Sequence, residues 1–160
     1  MNFRLIIRLS LGFQMEEKKI DTIDYNPQVW LCPATPKNRK VSIDNQFHFE
    51  NGDIEYAWAF SQGSRSKWDK LKVGDLCLFG NCKGFVKAAY VSRKINLEQV
   101  EEWPFRSPSG LPWSWGFYLT KPFDIHLEAN FFINMGRRAW NSQNLLSQGE
   151  ARLTLQQLNL

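Results

Sequence analysis

Cysteine and histidine are scarce in this 160-residue sequence, which has three cysteines and two histidines. The cysteines, Cys32, Cys77 and Cys82, are odd in number and form no C-x-x-C pair, which argues against a disulfide framework and against a zinc site. Neither His48 nor His126 lies at ligand spacing from a cysteine. The sequence therefore predicts no cofactor, and its thiols indicate a reducing, cytoplasmic location.

Long apolar runs are also missing, since no stretch approaches the roughly 20 apolar residues of a membrane-spanning helix. The N-terminal stretch MNFRLIIRLSLGF resembles a signal peptide, but Arg8 interrupts it, no A-x-A-like site follows, and the charged MEEKK comes next. We expect no membrane partner. We expect residues 1–28 to form a leader segment, with Met1 or Met15 as the start, and residues 29–160 to form a single domain.

Catalytic motifs are absent from the sequence. It contains no G-x-S-x-G, H-E-x-x-H, P-loop or G-x-G-x-x-G pattern. No cluster of carboxylates indicates a two-metal nuclease. Asp75 follows Gly74 in a predicted turn, where an aspartate side chain commonly accepts a hydrogen bond from a backbone N–H. We therefore predict that the chain is not an enzyme.

Aromatic and basic residues are what the sequence has in quantity. Aromatic residues make up 14% of the chain, including seven tryptophans and twelve phenylalanines. Most of them are expected in the core, but tryptophan rings also form stacking surfaces for nucleobases. The net charge of +4 permits a polyanionic partner, and the cationic residues cluster near predicted strand ends.

Short predicted strands outnumber helices. Alternation and turn signals predict strands at Val29–Cys32, Ile54–Phe60, Leu76–Phe79, Phe85–Val91, Phe117–Leu119, Phe123–Leu127 and Ala151–Leu155. Helical turns are predicted after the Thr35 cap with Pro36, over Ser66–Leu71, over Ile95–Trp103 with an Asn96 cap, and within Leu127–Trp140. The short spacing between strands predicts an α+β fold: a small mixed β-barrel, closed or nearly closed, with short peripheral helices.

Five ordered segments resemble the PUA-like superfamily, and its EVE and YTH branches most. They are VWLCPATP, YAWAFSQGSRSKWDKLKVGDLCLFG, GFVKAAYVSRKI, WGFYLTKPFDIHL and LLSQGEARLTL, which together span Val29 to Leu155. Two segments depart from the pattern. The stretch between Trp30 and Tyr56 is more basic and longer than expected, and the Trp113-Ser114-Trp115 loop is particular to this chain.

The resemblance implies a reader domain that flips one modified base out of a nucleic acid and holds it in an aromatic cage. Similar domains are the specificity modules of modification-dependent restriction systems and the methyladenosine readers of RNA. On this resemblance Trp58 opens the cage, Ser61 hydrogen-bonds the base edge, and Trp113 or Trp115 closes the cage. Trp113 is favoured because Trp115 adjoins a predicted strand.

Further site residues follow from the same resemblance. Trp30 is the candidate floor of the pocket and Asn38 a candidate contact to the base edge, whereas Trp68, Trp103 and Trp140 are assigned to helix faces in the core. For Trp30 and Trp58 plain core packing is the competing interpretation. Contacts to the nucleic-acid backbone are expected from Lys37, Arg39, Lys40, Arg65, Lys67, Lys83 and Arg93.

Several functions stay open on the sequence alone. Modified DNA is the favoured ligand, with a nuclease, an AAA+ motor subunit or a fused domain as the partner that acts on it. An RNA-binding PUA/YTH-like module is the second hypothesis. An ASCH-type small enzyme is a third, although its G-x-K-x-x-E-x-R signature is not found. The fourth is a protein-interaction module anchored by Trp113 and Trp115.

Overall fold

A computed structural model of the chain describes residues 26–96, 110, 113–137 and 144–160. Most of the predicted leader, Trp140 and residues 97–103 of the predicted helix therefore lie outside the described residues. Within these ranges, no helix combines the length and the apolar character needed to cross a membrane.

The described residues form one mixed sheet with short helices. The strands are β1 Val29–Pro33, β2 Phe47–His48, β3 Ile54–Phe60, β4 Leu76–Asn81, β5 Gly84–Asn96, β6 Trp115–Leu119, β7 Phe123–Glu128 and β8 Asn144–Leu145. The α-helices are α1 Pro36–Ser42, α2 Arg65–Lys70, α3 Ala129–Ile133 and α4 Gln148–Leu158, and Gln62–Ser64 is a 3₁₀ turn.

The sheet order is β2-β3-β6-β5-β4-β1-β8, and β7 pairs with β5 beside this path. Strands β1 and β4 run parallel, and the other pairs are antiparallel. This architecture confirms the α+β class with a mixed sheet and short helices that the number and spacing of the strands predicted. Among the described residues, however, hydrogen bonds do not join β2 to β8, so the sheet is not a closed barrel.

Both faces of the sheet are covered, which gives two hydrophobic cores. Strand β1 shows this directly, because Trp30 and Cys32 point into the first core while Val29 and Leu31 point into the second. The first core also contains Trp58, Phe60, Phe79 and Phe117. The second is covered by α3 and α4, which contribute Phe132, Ala151 and Leu155.

Three predicted elements have a different form in the structure. Residues Ala151–Leu155 were expected as a closing strand but belong to helix α4. The predicted helix cap at Asn96 is wrong, because β5 continues to that residue through its pairing with β6. Helix α2 begins at Arg65, one residue before the predicted start at Ser66, and Ser64 is in the cap position. By contrast, the Thr35 cap of α1 is confirmed, since its hydroxyl accepts from the backbone N–H of Asn38.

Helix α4 begins with a capping box. The Ser147 hydroxyl accepts from the Glu150 N–H at 3.3 Å, and the Ser147 N–H donates to the Glu150 carboxylate at 2.7 Å. Arg137 donates two hydrogen bonds to the same carboxylate, at 2.9 and 2.6 Å. These contacts lower the pKa of Glu150 to about 2, with the Arg137 hydrogen bonds as the largest cause.

Glu150→Gln should destabilise the domain by about 2 kcal/mol at pH 7. Glutamine at this position still serves the capping box but loses the charge that Arg137 binds. Because the folded pKa of Glu150 lies below its usual value of 4.5, its contribution is present above pH 4.5 and is lost as the pH falls toward 2. Urea unfolding at several pH values measures this. A stability difference that stays constant down to pH 2 would contradict the assignment.

Candidate functional site

Aromatic and cationic side chains meet where β3 ends and β6 begins. The two strands pair antiparallel, with Phe60 opposite Trp115, and the end of β5 lies on the other side of β6. After β3 the chain turns directly into the 3₁₀ turn and α2, which brings these short elements beside the start of β6. We refer to this group as the tryptophan site; its residues are Ser61, Gln62, Arg65, Trp68, Lys94, Trp113 and Trp115.

Trp68 and Trp115 form a fixed pair of half-buried rings. Their centroids are 5.4 Å apart and the ring planes are inclined by 43°. Each indole N–H donates to a backbone carbonyl, from Trp68 to Gly116 at 2.9 Å and from Trp115 to Gln62 at 2.8 Å. Because both polar atoms are bound to the backbone, the rings are oriented before any ligand arrives.

Two cations lie over these rings. The Arg65 guanidinium carbon is 5.2 Å from the centre of the Trp115 ring, and the Lys94 ammonium is 3.9 Å from the centre of the Trp68 ring. Lys94 also donates to the Trp68 carbonyl at 2.6 Å. Partial burial lowers the pKa of Lys94, although the carboxylates of Asp69 and Asp75 oppose the shift.

The positive charge of Arg65 is balanced by only a weak ion pair. Its partner is Asp69, one turn along α2, at an N–O distance of 3.9 Å, and both side chains are more than half exposed. Exposed pairs of this kind contribute little free energy, about 0–1 kcal/mol. Arg65 can therefore exchange this contact for an incoming anion at low cost.

Trp58 and Trp113 contact each other behind this surface. Their ring centroids are 6.0 Å apart and their planes are inclined by 74°, which is an edge-to-face arrangement. Trp58 is fully buried and also packs on Phe79 at 5.5 Å, whereas Trp113 is half-buried. A planar ligand can therefore reach the Trp58 ring only if the side chains that cover it move.

Ser61 lies at the end of β3, in the first turn after Phe60. Its hydroxyl is 3.0 Å from that of Ser64, and the side chain is half-buried. Lys67 follows on α2, also half-buried. The structure thus brings Trp58, Ser61 and Trp113 to one end of the sheet, with Arg65 and Trp115 beside them. All five are residues that the sequence analysis assigns to nucleic-acid contacts.

Trp30 does not line this surface. It is fully buried, and its indole N–H donates to the Asp75 carboxylate at 3.0 Å while its ring packs against Phe60. The structure places Trp30, assigned from the sequence as the pocket floor, in the first core, on a strand that is covered on both faces. Asp75 also accepts from the Lys72 N–H at 2.9 Å, as expected for a turn residue, and burial raises its pKa.

The other residues predicted to contact nucleic acid lie outside the tryptophan site. Arg93 packs over Tyr118 at 4.5 Å and pairs with Asp53 at 3.4 Å, so a carboxylate already contacts it. Helix α1 carries exposed lysines and half-buried Asn38 and Arg39, and the β4–β5 hairpin carries exposed Lys83. The α1 lysines are Lys37 and Lys40.

Trp68 and Lys94 are the residues that sequence reasoning missed. Trp68 was assigned to the core, and it does pack against the first core, but its ring also belongs to the surface pair. Lys94 lies 26 residues away along the chain, at the end of a strand whose length was underestimated. The available signal was the Ser-Arg-Lys run near the end of β5, which precedes a tryptophan-rich stretch of the sequence.

The fold and the site define a small α+β domain with an aromatic and cationic surface at one end of its sheet. No protein-family model matches the sequence, and a search of curated proteins finds no match. The crystal structure of protein Atu2648 from Agrobacterium tumefaciens is similar, with 12% sequence identity, a TM-score of 0.49, and coverage of 83% of this chain and 94% of that chain. Human THYN1, solved in complex with DNA containing 5-methylcytosine, has 14% identity, a TM-score of 0.41, and coverage of 83% and 98%.

Proposed function

We propose that this chain is a nucleic-acid-binding domain that receives a flipped, modified base at the tryptophan site. The observation that carries the proposal is the meeting of Trp58, Trp113 and Trp115 with Ser61 and Arg65 at one end of the sheet. Aromatic rings beside cations are the combination that unpaired bases and phosphates require. Modified DNA is the proposed ligand.

Trp113 is the proposed moving part of the cage. It lies on the segment before β6, is half-buried, and meets Trp58 in an edge-to-face pair. A base that enters here stacks on Trp113 and approaches Ser61, whose hydroxyl exchanges its contact with Ser64 for the base edge. Extruding a base costs a few kcal/mol, and each stacked aromatic returns about 1–3 kcal/mol.

The Trp68–Trp115 pair offers a second surface, next to the proposed cage. Its rings are held by the backbone, and a neighbouring unpaired base would stack on Trp115 when Arg65 turns from that ring to a phosphate. Arg65, Lys67 and Lys94 supply positive charge for the flanking phosphates. Binding is therefore expected to weaken steeply with rising salt concentration.

Discrimination between modified and unmodified bases requires more than contact with a methyl group. Burying one methyl contributes about 0.8 kcal/mol, which is less than a tenfold change in affinity. Larger selectivity needs a polar contact that the unmodified base leaves unsatisfied. Ser61 is the proposed donor or acceptor for that contact.

We propose that the domain acts as a specificity module, as in modification-dependent restriction systems. The sequence nominates no catalytic set of its own, so the reaction on the bound nucleic acid would be carried out by a nuclease, an AAA+ motor subunit or a fused domain. A role in binding rather than catalysis is the corresponding proposal for the chain itself.

Trp113→Ala should lower affinity for the preferred modified probe at least tenfold, which is about 1.4 kcal/mol and the lower range of one stacked base. Because Trp113 is half-buried, we expect the thermal midpoint to fall by less than about 8 °C. Fluorescence anisotropy against matched duplexes measures the affinity. The panel contains unmodified, methylcytosine, hydroxymethylcytosine and methyladenine DNA, together with methyladenosine RNA, each at two salt concentrations.

Phe131→Ala is the matched control, because Phe131 is a half-buried aromatic residue that packs at the second core. It should lose comparable stability and keep its affinity. If the wild-type protein binds every probe equally and weakly, the reader function is contradicted. Best binding of methyladenosine RNA would identify an RNA reader instead of a DNA reader.

A further inference from the structure

A separate cavity of about 210 Å³ lies at the β4–β5 hairpin. It is bounded by α1, by the hairpin and by the end of β7, and we refer to it as the hairpin cavity. Its polar lining residues are Arg39, Asn81, Lys83, His126 and Glu128. Strand β5 connects it to the tryptophan site, since Gly84 lies at the cavity and Asn96 pairs with Trp115. At about 3.3 Å per residue, the two ends of β5 are at most about 40 Å apart.

The backbone around the hairpin cavity is tightly held. The N–H of Ala34 donates to the Gly80 carbonyl at 2.6 Å, which anchors the chain just before α1 on the hairpin. At the other end of α1, the Ser42 hydroxyl donates to the Ala57 carbonyl at 2.8 Å. Arg39 lies between these two anchors. Its backbone position at the cavity is therefore fixed by the fold.

Arg39 carries a polar group that the described residues leave unsatisfied. Its Nε atom is buried and has no hydrogen-bond acceptor within the described ranges. Buried donors almost always have an acceptor. Arg39 as a whole is half-buried and lines the cavity, so a small shift of its guanidinium would let an anion there accept a hydrogen bond from Nε.

We propose that the hairpin cavity binds a phosphate group, with Arg39 as its main donor and Lys83 as its second cation. The planar guanidinium matches the oxygens of a phosphate, with two parallel hydrogen bonds. The cavity is smaller than the roughly 300–1,000 Å³ of sites for drug-sized ligands, so it suits a single phosphate group rather than a whole nucleotide. His126 is a further polar side chain at its edge.

Glu128 opposes an anion in this cavity, and this gives the proposal a second test. A phosphate that retains one proton can donate it to a carboxylate, whereas sulfate at neutral pH has no proton to donate. Wild-type protein should therefore prefer phosphate over sulfate. Glu128→Gln removes the repulsion and should raise the affinity for sulfate several-fold.

Isothermal titration calorimetry with inorganic phosphate and with sodium sulfate, up to about 10 mM, covers the range in which such a group binds. Arg39→Gln should weaken phosphate binding at least tenfold, the factor that a charge-assisted hydrogen bond supplies. Lys121→Gln is the matched control, because it removes the same charge from an exposed residue that does not line the cavity. It should change the affinity less than about twofold, since exposed charges contribute little.

Binding that is absent in wild type, or equal in wild type and Arg39→Gln, would overturn the proposal. If Arg39→Gln fails to fold, as judged by circular dichroism, the exposed residues carry the test through Lys83→Gln and Glu128→Gln. Unchanged phosphate affinity in Lys83→Gln, together with unchanged sulfate affinity in Glu128→Gln, would also overturn the proposal.

The phosphate has two possible sources, which duplex DNA separates. If Arg39→Gln weakens DNA binding more than Lys121→Gln does, and inorganic phosphate competes with the DNA, the source is a nucleic-acid backbone. If the two variants bind DNA equally while only Arg39→Gln loses phosphate, the source is a free phosphate compound. Both results support the cavity as a phosphate site. The first also rests on the proposed function, whereas the calorimetry does not.

Discussion

Gly80→Ala is expected to destabilise the domain by roughly 4 kcal/mol or more, which is a large part of the 5–15 kcal/mol that holds a typical domain folded. A Cβ atom at this position would lie 2.2 Å from the Gly84 carbonyl oxygen and 2.5 Å from the Phe85 Cα. Both atoms belong to the backbone of the adjacent strand, so no side-chain rotation relieves the clash. The β4–β5 register also shifts between Phe79 and Gly80, which places this residue at an irregularity of the ladder.

Urea unfolding followed by circular dichroism measures this effect through the midpoint and slope of the transition. Gly63→Ala is the matched control, because a Cβ there meets no atom within 4 Å and the residue is exposed. It should stay within about 0.5 kcal/mol of wild type. A Gly80→Ala protein as stable as the Gly63→Ala protein would show that the hairpin tolerates a wider separation.

Trp58→Ala should cost about 3–5 kcal/mol of stability, the usual range for removing a large buried aromatic side chain. The ring is fully buried and packs against Phe79 and Trp113 in the first core. Trp58→Phe retains an aromatic ring and should cost less than half as much. Chemical denaturation of the three proteins gives these differences.

Trp115→Ala is the control variant for Trp58→Ala. Trp115 is half-buried at the surface of the same site, so its removal should cost much less stability than removal of Trp58. If Trp58→Ala leaves the denaturation midpoint unchanged, the ring is not part of the core. If it unfolds the domain, loss of nucleic-acid binding in that variant carries no information, and Trp113 becomes the residue on which the reader function is tested.

Local sequence patterns predicted most of the elements because they depend on short-range physics. The Thr35-Pro36 pair specified the start of α1, and alternating apolar residues specified β3, β4 and the first half of β5. The pattern failed at residues 151–155, where Ala-Arg-Leu-Thr-Leu fits both periods. There the capping box of Ser147 and Glu150 initiates a helix, and Ala151 and Leu155 are buried one turn apart.

The candidate site was only partly predictable. The polar turn after the strand of Trp58 indicated Arg65 beside it, and the resemblance to PUA-like domains added Trp113 to the same site. The sequence did not indicate Lys94, which reaches Trp68 only because β5 continues past Val91 and pairs with β6. Contacts between residues far apart in sequence depend on strand pairing, which local patterns do not encode.

Short strands, capped short helices and enough apolar residues for a substantial core all follow from the amino-acid sequence. Which tryptophans are buried depends instead on the packed fold. Trp30 and Trp68 look alike in the sequence, yet one donates to a buried carboxylate while the other lies under a lysine at the surface. Burial differs because it depends on what covers each face of the sheet. For Trp30 those neighbours come from distant segments of the chain.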